Sequence, residues 1–349
     1  MPRLSLRTAA VALLVGSLTL AGCGNDASEA EDTGNAGSGD PAFPVTIEHA
    51  YGETTIEEKP ERIATVAWAN HEVPLALGVV PVGMSKAAWG DDDNDGVLPW
   101  VEEKLEELGA DTPVLFDEAD GVDFEAVADT QPDVILASYS GLTQEEYDTL
   151  SKIAPVVAYP DVAWATSMND MIRMNSEAIG LAEEGEELIA SLEEQTTAAL
   201  EQHAALADKK VLFSYLDPAD LSKVDFYTLN DTRPGFLVEN GLPVPSIVEK
   251  TSKDSEAFYE TVSAEEAESF DDVDVFVTYG AADGSTVKAL QADPLLSKIP
   301  AIRSGAVAVL EESTPLAASA NPSPLSIGWG IEDYFGVLAA AAEKSPSVQ

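Results

Sequence analysis

Cysteine is almost missing from this chain: Cys23 stands alone among 349 residues, so no disulfide forms within the chain and no cysteine-rich metal centre exists. Histidine is nearly as scarce. His49, His71 and His203 are the three present, too few and too scattered for a multi-histidine metal site or a readily placed hydrolase triad. Neither a Gly-x-Ser-x-Gly elbow nor a His-Glu-x-x-His pair occurs. Basic residues are also few, 18 against 63 acidic ones, for a formal net charge of −45. So negative a surface repels the phosphate backbone of nucleic acids, which are excluded as partners. The acids are spread along the chain rather than gathered in a tail, the usual form of a solubilising surface. No short-period repeat suggests an adhesin or scaffold. An extracellular hydrolase is the reading from a different class, and only the abundance of carboxylates speaks for it.

What is present begins at the N-terminus. Arg3 and Arg7 precede an apolar stretch at 9–20, too short for a membrane-spanning helix, and then Leu20-Ala21-Gly22-Cys23. This resembles a bacterial lipoprotein signal, with cleavage after residue 22 and lipid on Cys23. The implied location is outside the cell, anchored by that lipid to the outer face of the membrane. Residues 23–42 are rich in Gly, Ser, Asn, Ala, Asp and Glu without apolar periodicity and read as a flexible tether.

The rest alternates. A hairpin over 49–59, with Tyr51-Gly52 at its turn, leads to buried-strand runs at 63–67, 79–83, 132–137 and 156–159. Helical patterns at 73–78, 101–108, 124–130 and 143–153 lie between them, which implies a parallel α/β layer. Residues 167–207 carry almost no strand signal. Gly180 and Gly185 divide them into a shorter helix and a longer one at 183–206, roughly 30 Å long and able to bridge two lobes. Alternation then resumes, with strands at 211–215, 273–278 and 306–310 and a closing helix at 331–344. The expected fold class is α/β: two Rossmann-like lobes, 43–166 and 208–349, joined by one long backbone helix within 167–207.

Several phrases in this layout resemble the class III periplasmic binding proteins, in the branch serving iron–siderophore, haem and cobalamin importers. They are Lys59-Pro60-Glu61-Arg62-Ile63, Leu77-Gly78-Val79-Val80-Pro81-Val82-Gly83, Gln131-Pro132-Asp133-Val134-Ile135-Leu136, Leu150-Ser151-Lys152-Ile153-Ala154-Pro155-Val156 and Ser323-Pro324-Leu325-Ser326-Ile327. They run in family order over nearly all of 45–345. The resemblance implies a monomeric binding protein, not an enzyme, that holds a ferric siderophore between its lobes and requires no cofactor. Haem, cobalamin or another metal chelate is the alternative cargo. It also implies that one acidic residue on each lobe docks onto the permease dimer of an ABC transporter. The matching positions are Glu125 and Glu265, with Glu266 a close competitor and ordinary solvated first-turn glutamates the plainer reading.

Open α/β sheets bind ligands beyond the carboxyl ends of their strands. There the sequence delivers Trp68, Asn70, Trp89, Tyr139 and Trp164 from the first lobe and Tyr215, Arg233 and Tyr279 from the second. A bulky chelate needs an aromatic lining and a polar anchor, for which Arg233 is the choice; core packing of the aromatics and a surface ion pair for Arg233 are the alternatives. Finally, Asp91, Asp93, Asp95, Gly96 and Glu102 fit D-x-D-x-D-G-x5-E, the spacing of a calcium loop. Against calcium stand the missing entering helix and Pro99 at the ninth position, which leave a solvated acidic turn as the other reading.

Overall fold

The computed structural model describes residues 43–346; the signal segment 1–22, Cys23 and the tether at 23–42 lie outside the described residues. The fold starts with the hairpin β1 (Val45–His49) and β2 (Gly52–Ile56), antiparallel with Val45 opposite Ile56. Ile47 and Ile56 face inward and Thr46 and Thr55 outward, the two-residue period of a half-buried strand. The first lobe continues as β3 (Ile63–Thr65), α1 (Glu72–Ala76), β4 (Gly83–Ser85), α2 (Pro99–Leu108) and β5 (Val114–Phe116). It ends with α3 (Phe124–Asp129), β6 (Val134–Leu136), α4 (Gln144–Leu150) and β7 (Val156–Val157). These five central strands are all parallel, in the order β5-β4-β3-β6-β7. The strand expected at 79–83 begins only at Gly83. Pro81 has no N–H for a ladder, and the Val79 N–H is taken by the Pro74 carbonyl at 2.8 Å in the turn out of α1.

Two helices follow, α5 (Met168–Ala178), capped by the Ser167 hydroxyl, and α6 (Ala182–Gln202), whose 21 residues extend about 31 Å. The second lobe then runs through β8 (Val211–Tyr215), β9 (Lys223–Tyr227), α7 (Thr232–Glu239), α8 (Ser246–Asp254) and β10 (Tyr259–Ser263). It closes with β11 (Val275–Gly280), α9 (Ser285–Ala292), α10 (Pro300–Ser304), β12 (Val307–Glu311), α11 (Pro315–Ser319) and α12 (Ser326–Ala342). Its sheet has the order β10-β9-β8-β11-β12, the same pattern as the first, but β9 is antiparallel to both neighbours. The sequence did not announce this: the loop from β8 to β9 is too short for a parallel crossover, so the chain turns back on itself.

The lobes are tied together by more than one rod. α6 packs on α5 at one end and on α12 at the other. One apolar core joins Val73, Tyr139 and Ile172 of the first part to Phe213, Val277 and Phe335 of the second. In addition, the chain after β12 returns to the first lobe, where Ala318 packs with Leu75 and Trp100, and Trp329 lies 5.2 Å from Trp100 ring to ring. Glu72 fixes this return. Fully buried, it accepts hydrogen bonds from Trp100 Nε1 at 2.8 Å and from the Leu325 N–H at 2.9 Å, at the start of α12. Burial pushes its carboxyl up to about 7, while those donors pull it back. Each fully buried aromatic or leucine across this junction contributes roughly 1.5–3 kcal/mol, so wide hinge opening would expose far more apolar surface than one helix could hold closed.

Candidate ligand-binding site

In each sheet the strand order reverses beside the first strand, at β3 between β4 and β6 and at β8 between β9 and β11. The crevices at such switch points are where open α/β sheets take ligands. Beyond β3 the backbone enters the left-handed region twice, with φ of 61° at both Ala67 and Ala69, unusual for alanine. Glu118 props this path open: its Oε2 accepts from the Ala67 N–H at 2.9 Å and from the Ser85 hydroxyl at 3.0 Å. Burial raises the Glu118 carboxyl, and those two donors pull it down. Trp68 sits on this path half-buried, its indole N–H without a partner among the described residues.

Asn70 is not on the cleft wall. It is fully buried beneath it, where Nδ2 donates to the carbonyls of Val66 (2.9 Å) and Tyr139 (2.8 Å). Its Oδ1 accepts from the Tyr139 N–H (3.1 Å), the Ser138 hydroxyl (3.2 Å) and Asn175 Nδ2 (3.1 Å). With every donor and acceptor occupied, Asn70 splices the ends of β3 and β6 and presents Tyr139. Tyr139 in turn meets Trp164 edge-on at 5.4 Å. Trp164 fits because residue 141 is glycine: a Cβ there would lie 2.1 Å from the indole nitrogen.

On the second lobe, Asp231 caps α7 by accepting the Arg233 N–H at 2.9 Å, and its other oxygen takes Arg233 Nη1 at 2.7 Å. The guanidinium lies 4.5 Å over the Tyr227 ring. Burial opposes the charge on Arg233, but Asp231 and the surrounding phenols more than offset it and hold its pKa above the ordinary range. Burial raises the Asp231 carboxyl, with Arg233 pulling it back. Two donors in this cluster have no partner among the described residues: Arg233 Nε–H and the Tyr279 hydroxyl, both buried. Buried donors of this kind cost about 1–3 kcal/mol each unless something accepts from them.

The lobes meet across this cluster. Trp89 packs edge-on against Tyr279 at 5.6 Å. The loop carrying Trp89 comes close to α11 only because the next residue is Gly90, at φ 84°, where a Cβ would fall 2.4 Å from Ala318 Cβ. Below, the hydroxyls of Tyr139 and Thr232 are 3.3 Å apart, and Asn321 Nδ2 donates to the Tyr139 hydroxyl at 3.3 Å. A cavity of about 570 Å³ opens beyond β8 and β11, lined among others by Tyr215, Tyr279, Thr286, Glu311 and Glu312. A second hollow, of about 320 Å³, lies between Tyr215, Tyr227, Phe258 and Tyr259. Tyr215, 43% exposed, is common to both. Trp89, Tyr139, Trp164, Arg233 and Tyr279 are thus brought together, Trp68 lies to one side, and Asn70 alone is withdrawn into the scaffold. Sequence reasoning missed Asp231, Glu118 and Asn321. Only Asp231 had a signal, an aspartate directly before a helix pattern.

Glu125 and Glu265 are exposed first-turn residues of α3 and of a short helix at Ala264–Phe270, which lead into β6 and β11, the equivalent strands of the two sheets. In the acidic loop the carboxylates of Asp91, Asp93 and Asp95 approach within 4.8 Å of one another. The loop is already organised by its own backbone, as Asp91 accepts from the N–H groups of Asn94 (2.8 Å) and Gly96 (2.7 Å). Glu102 is not part of that trio but lies near it: partial burial and the neighbouring Asp95 and Asp93 push its carboxyl up to about 7. Among the described residues no helix is long and apolar enough to cross a membrane.

Residues 63–314 match the periplasmic binding protein family model, and the chain belongs to that family; it is a binding protein, not an enzyme. A curated relative is the probable siderophore-binding lipoprotein YfiY of Bacillus subtilis, 28% identical over 67% of this chain and 67% of that one. Another, the uncharacterized ABC transporter substrate-binding lipoprotein YvrC of the same organism, is 26% identical over 59% of this chain and 62% of its own length. The crystal structure of PiaA from Streptococcus pneumoniae TIGR4 in complex with ferrichrome matches with a TM-score of 0.83 and 48% identity, covering 86% of this chain and 100% of that one.

Proposed function

We propose that this protein captures a ferric siderophore outside the cell and delivers it to the permease dimer of an ABC importer, held to the membrane by lipid on Cys23. The observation that carries the reading is the pair of buried donors without partners among the described residues, Arg233 Nε–H and the Tyr279 hydroxyl, set among aromatic rings, with Tyr279 also lining a cavity of about 570 Å³. That volume lies within the range of small-molecule sites, and the aromatic walls suit the apolar rim of a metal chelate. Iron that arrives chelated asks for hydrogen-bond donors to the chelate oxygens rather than for metal ligands, and the cluster offers such donors. The likeness to a ferrichrome-bound protein supports the same cargo. Trp68, Trp89, Tyr139, Trp164, Tyr215, Arg233 and Tyr279 are the proposed contacts.

Three tryptophans in or beside the cluster provide the test. Titration of the protein with ferric siderophores, haem and cobalamin should quench its intrinsic fluorescence saturably with an iron chelate. Tight binding of haem or cobalamin with no response to any ferric siderophore would replace the cargo. Glu125 and Glu265 are proposed as the permease contacts.

Calcium in the acidic loop is a separate proposal that rests on spacing alone. Burial raises Glu102 most and repulsion from the neighbouring aspartates adds to it; a divalent cation would relieve the repulsion. Calorimetric titration with Ca2+ should give a heat of binding that Asp93→Ala removes, and the apparent Glu102 pKa should fall when calcium is present. No heat from the wild-type protein would leave a solvated acidic turn.

A further inference from the structure

We infer that Asp231 sets the charge of the cargo: by neutralising Arg233 inside the cleft, it selects uncharged ferric chelates, such as trihydroxamates, over trianionic tris-catecholates. This rests on the siderophore reading and adds to it a reason for selection that resides in one carboxylate.

A lone guanidinium in a buried aromatic cluster is the usual recognition device for an anion. Here that device is spent internally. Asp231 is 3% exposed and lies 2.7 Å from Arg233 Nη1, while its second oxygen is fixed by the α7 N–H at residue 233. Asp231 cannot swing away when cargo arrives, because leaving would uncap the helix and strand a buried guanidinium. Of the donors that remain on Arg233, Nε–H is buried without a partner among the described residues, and none has surplus charge behind it. Around the 570 Å³ cavity the charged lining residues are Glu311 and Glu312, both exposed and both acidic. A trianionic chelate therefore meets a neutral anchor and a negative rim. A trihydroxamate complex, whose three anionic groups balance ferric iron, keeps carbonyl and N–O oxygens to accept from Nε–H and the Tyr279 hydroxyl and suffers no repulsion.

The test compares ferrichrome with a ferric tris-catecholate by fluorescence titration. The wild-type protein is expected to prefer ferrichrome at least a hundredfold. Asp231→Asn keeps a capping side chain but frees the positive charge, and should narrow that preference at least tenfold. The double variant Asp231→Asn with Arg233→Gln is neutral again and should restore the wild-type preference, although both affinities fall. An unchanged preference in Asp231→Asn, or an equal narrowing in the double variant, would overturn the inference, because charge would then not be the cause. Should Asp231→Asn not fold, the wild-type panel still decides, since equal binding or a preference for the tris-catecholate overturns it too. Binding of neither chelate is a different outcome: it removes the siderophore reading itself.

Discussion

Arg233→Ala is expected to weaken binding of the ferric siderophore at least about thirtyfold, and Arg233→Lys by about tenfold. Truncating one member of a buried, hydrogen-bonded charge pair costs about 2–5 kcal/mol, most of it from the partner left behind. In this site the abandoned partner is Asp231, 3% exposed. The alanine variant therefore carries two penalties, one to cargo affinity and one to the fold. They separate cleanly: thermal unfolding of the ligand-free variant reports the stranded carboxylate, and fluorescence titration of the folded fraction reports the lost Nε–H donor. Lysine preserves a charge for Asp231 but has no planar fork to lie 4.5 Å over Tyr227 while also presenting a second donor. Wild-type affinity in Arg233→Lys would mean that Nε–H makes no contact with cargo.

Reversing both docking candidates, Glu125→Lys with Glu265→Lys, should reduce siderophore uptake by cells at least tenfold while the dissociation constant of the purified protein changes less than twofold. Both side chains are exposed, so reversal buries no charge and leaves each helix with its own cap, Asp123 in one lobe and Ser263 in the other. The pair occupies equivalent places in two sheets of the same strand order, as two-point docking onto a dimer requires. Exposed charges at such contacts fix orientation and encounter more than they add affinity, so each single reversal should give an intermediate loss. Full uptake by the double variant would transfer the docking role elsewhere, with Glu266 first in line.

Much of this architecture could be read from residues. Val134, Ile135 and Leu136 form a continuous apolar run and are each fully buried in the middle of a parallel sheet. A hairpin turning at Tyr51-Gly52, expected over 49–59 and found over 45–56, the long helix after Gly180 and the aromatic residues beyond strand ends were legible for similar reasons. In the second lobe β8, β11 and β12 were legible too, but β9 and β10 were not. β9 alternates buried Val224 and Phe226 with polar or half-exposed Lys223, Asp225 and Tyr227, and its antiparallel direction is set by loop length rather than composition. Asn70 misled because a polar residue just past a strand resembles a ligand contact. Only tertiary structure reveals that six internal bonds consume it. Glu72 was hidden for the opposite reason: a glutamate in a first helical turn reads as solvated, yet this one is sealed between lobes by Trp100 and the start of α12.

Ferric cargo is proposed to rest where Tyr279, Arg233 and Trp89 converge. Anomalous scattering at the iron edge from crystals of the protein with ferrichrome would locate the metal directly. We expect one iron peak in the cleft beside this cluster, with chelate oxygens accepting from Arg233 Nε–H and the Tyr279 hydroxyl. An iron peak at the acidic loop of Asp91, Asp93 and Asp95, or no peak between the lobes from a protein shown to bind ferrichrome in solution, would contradict it.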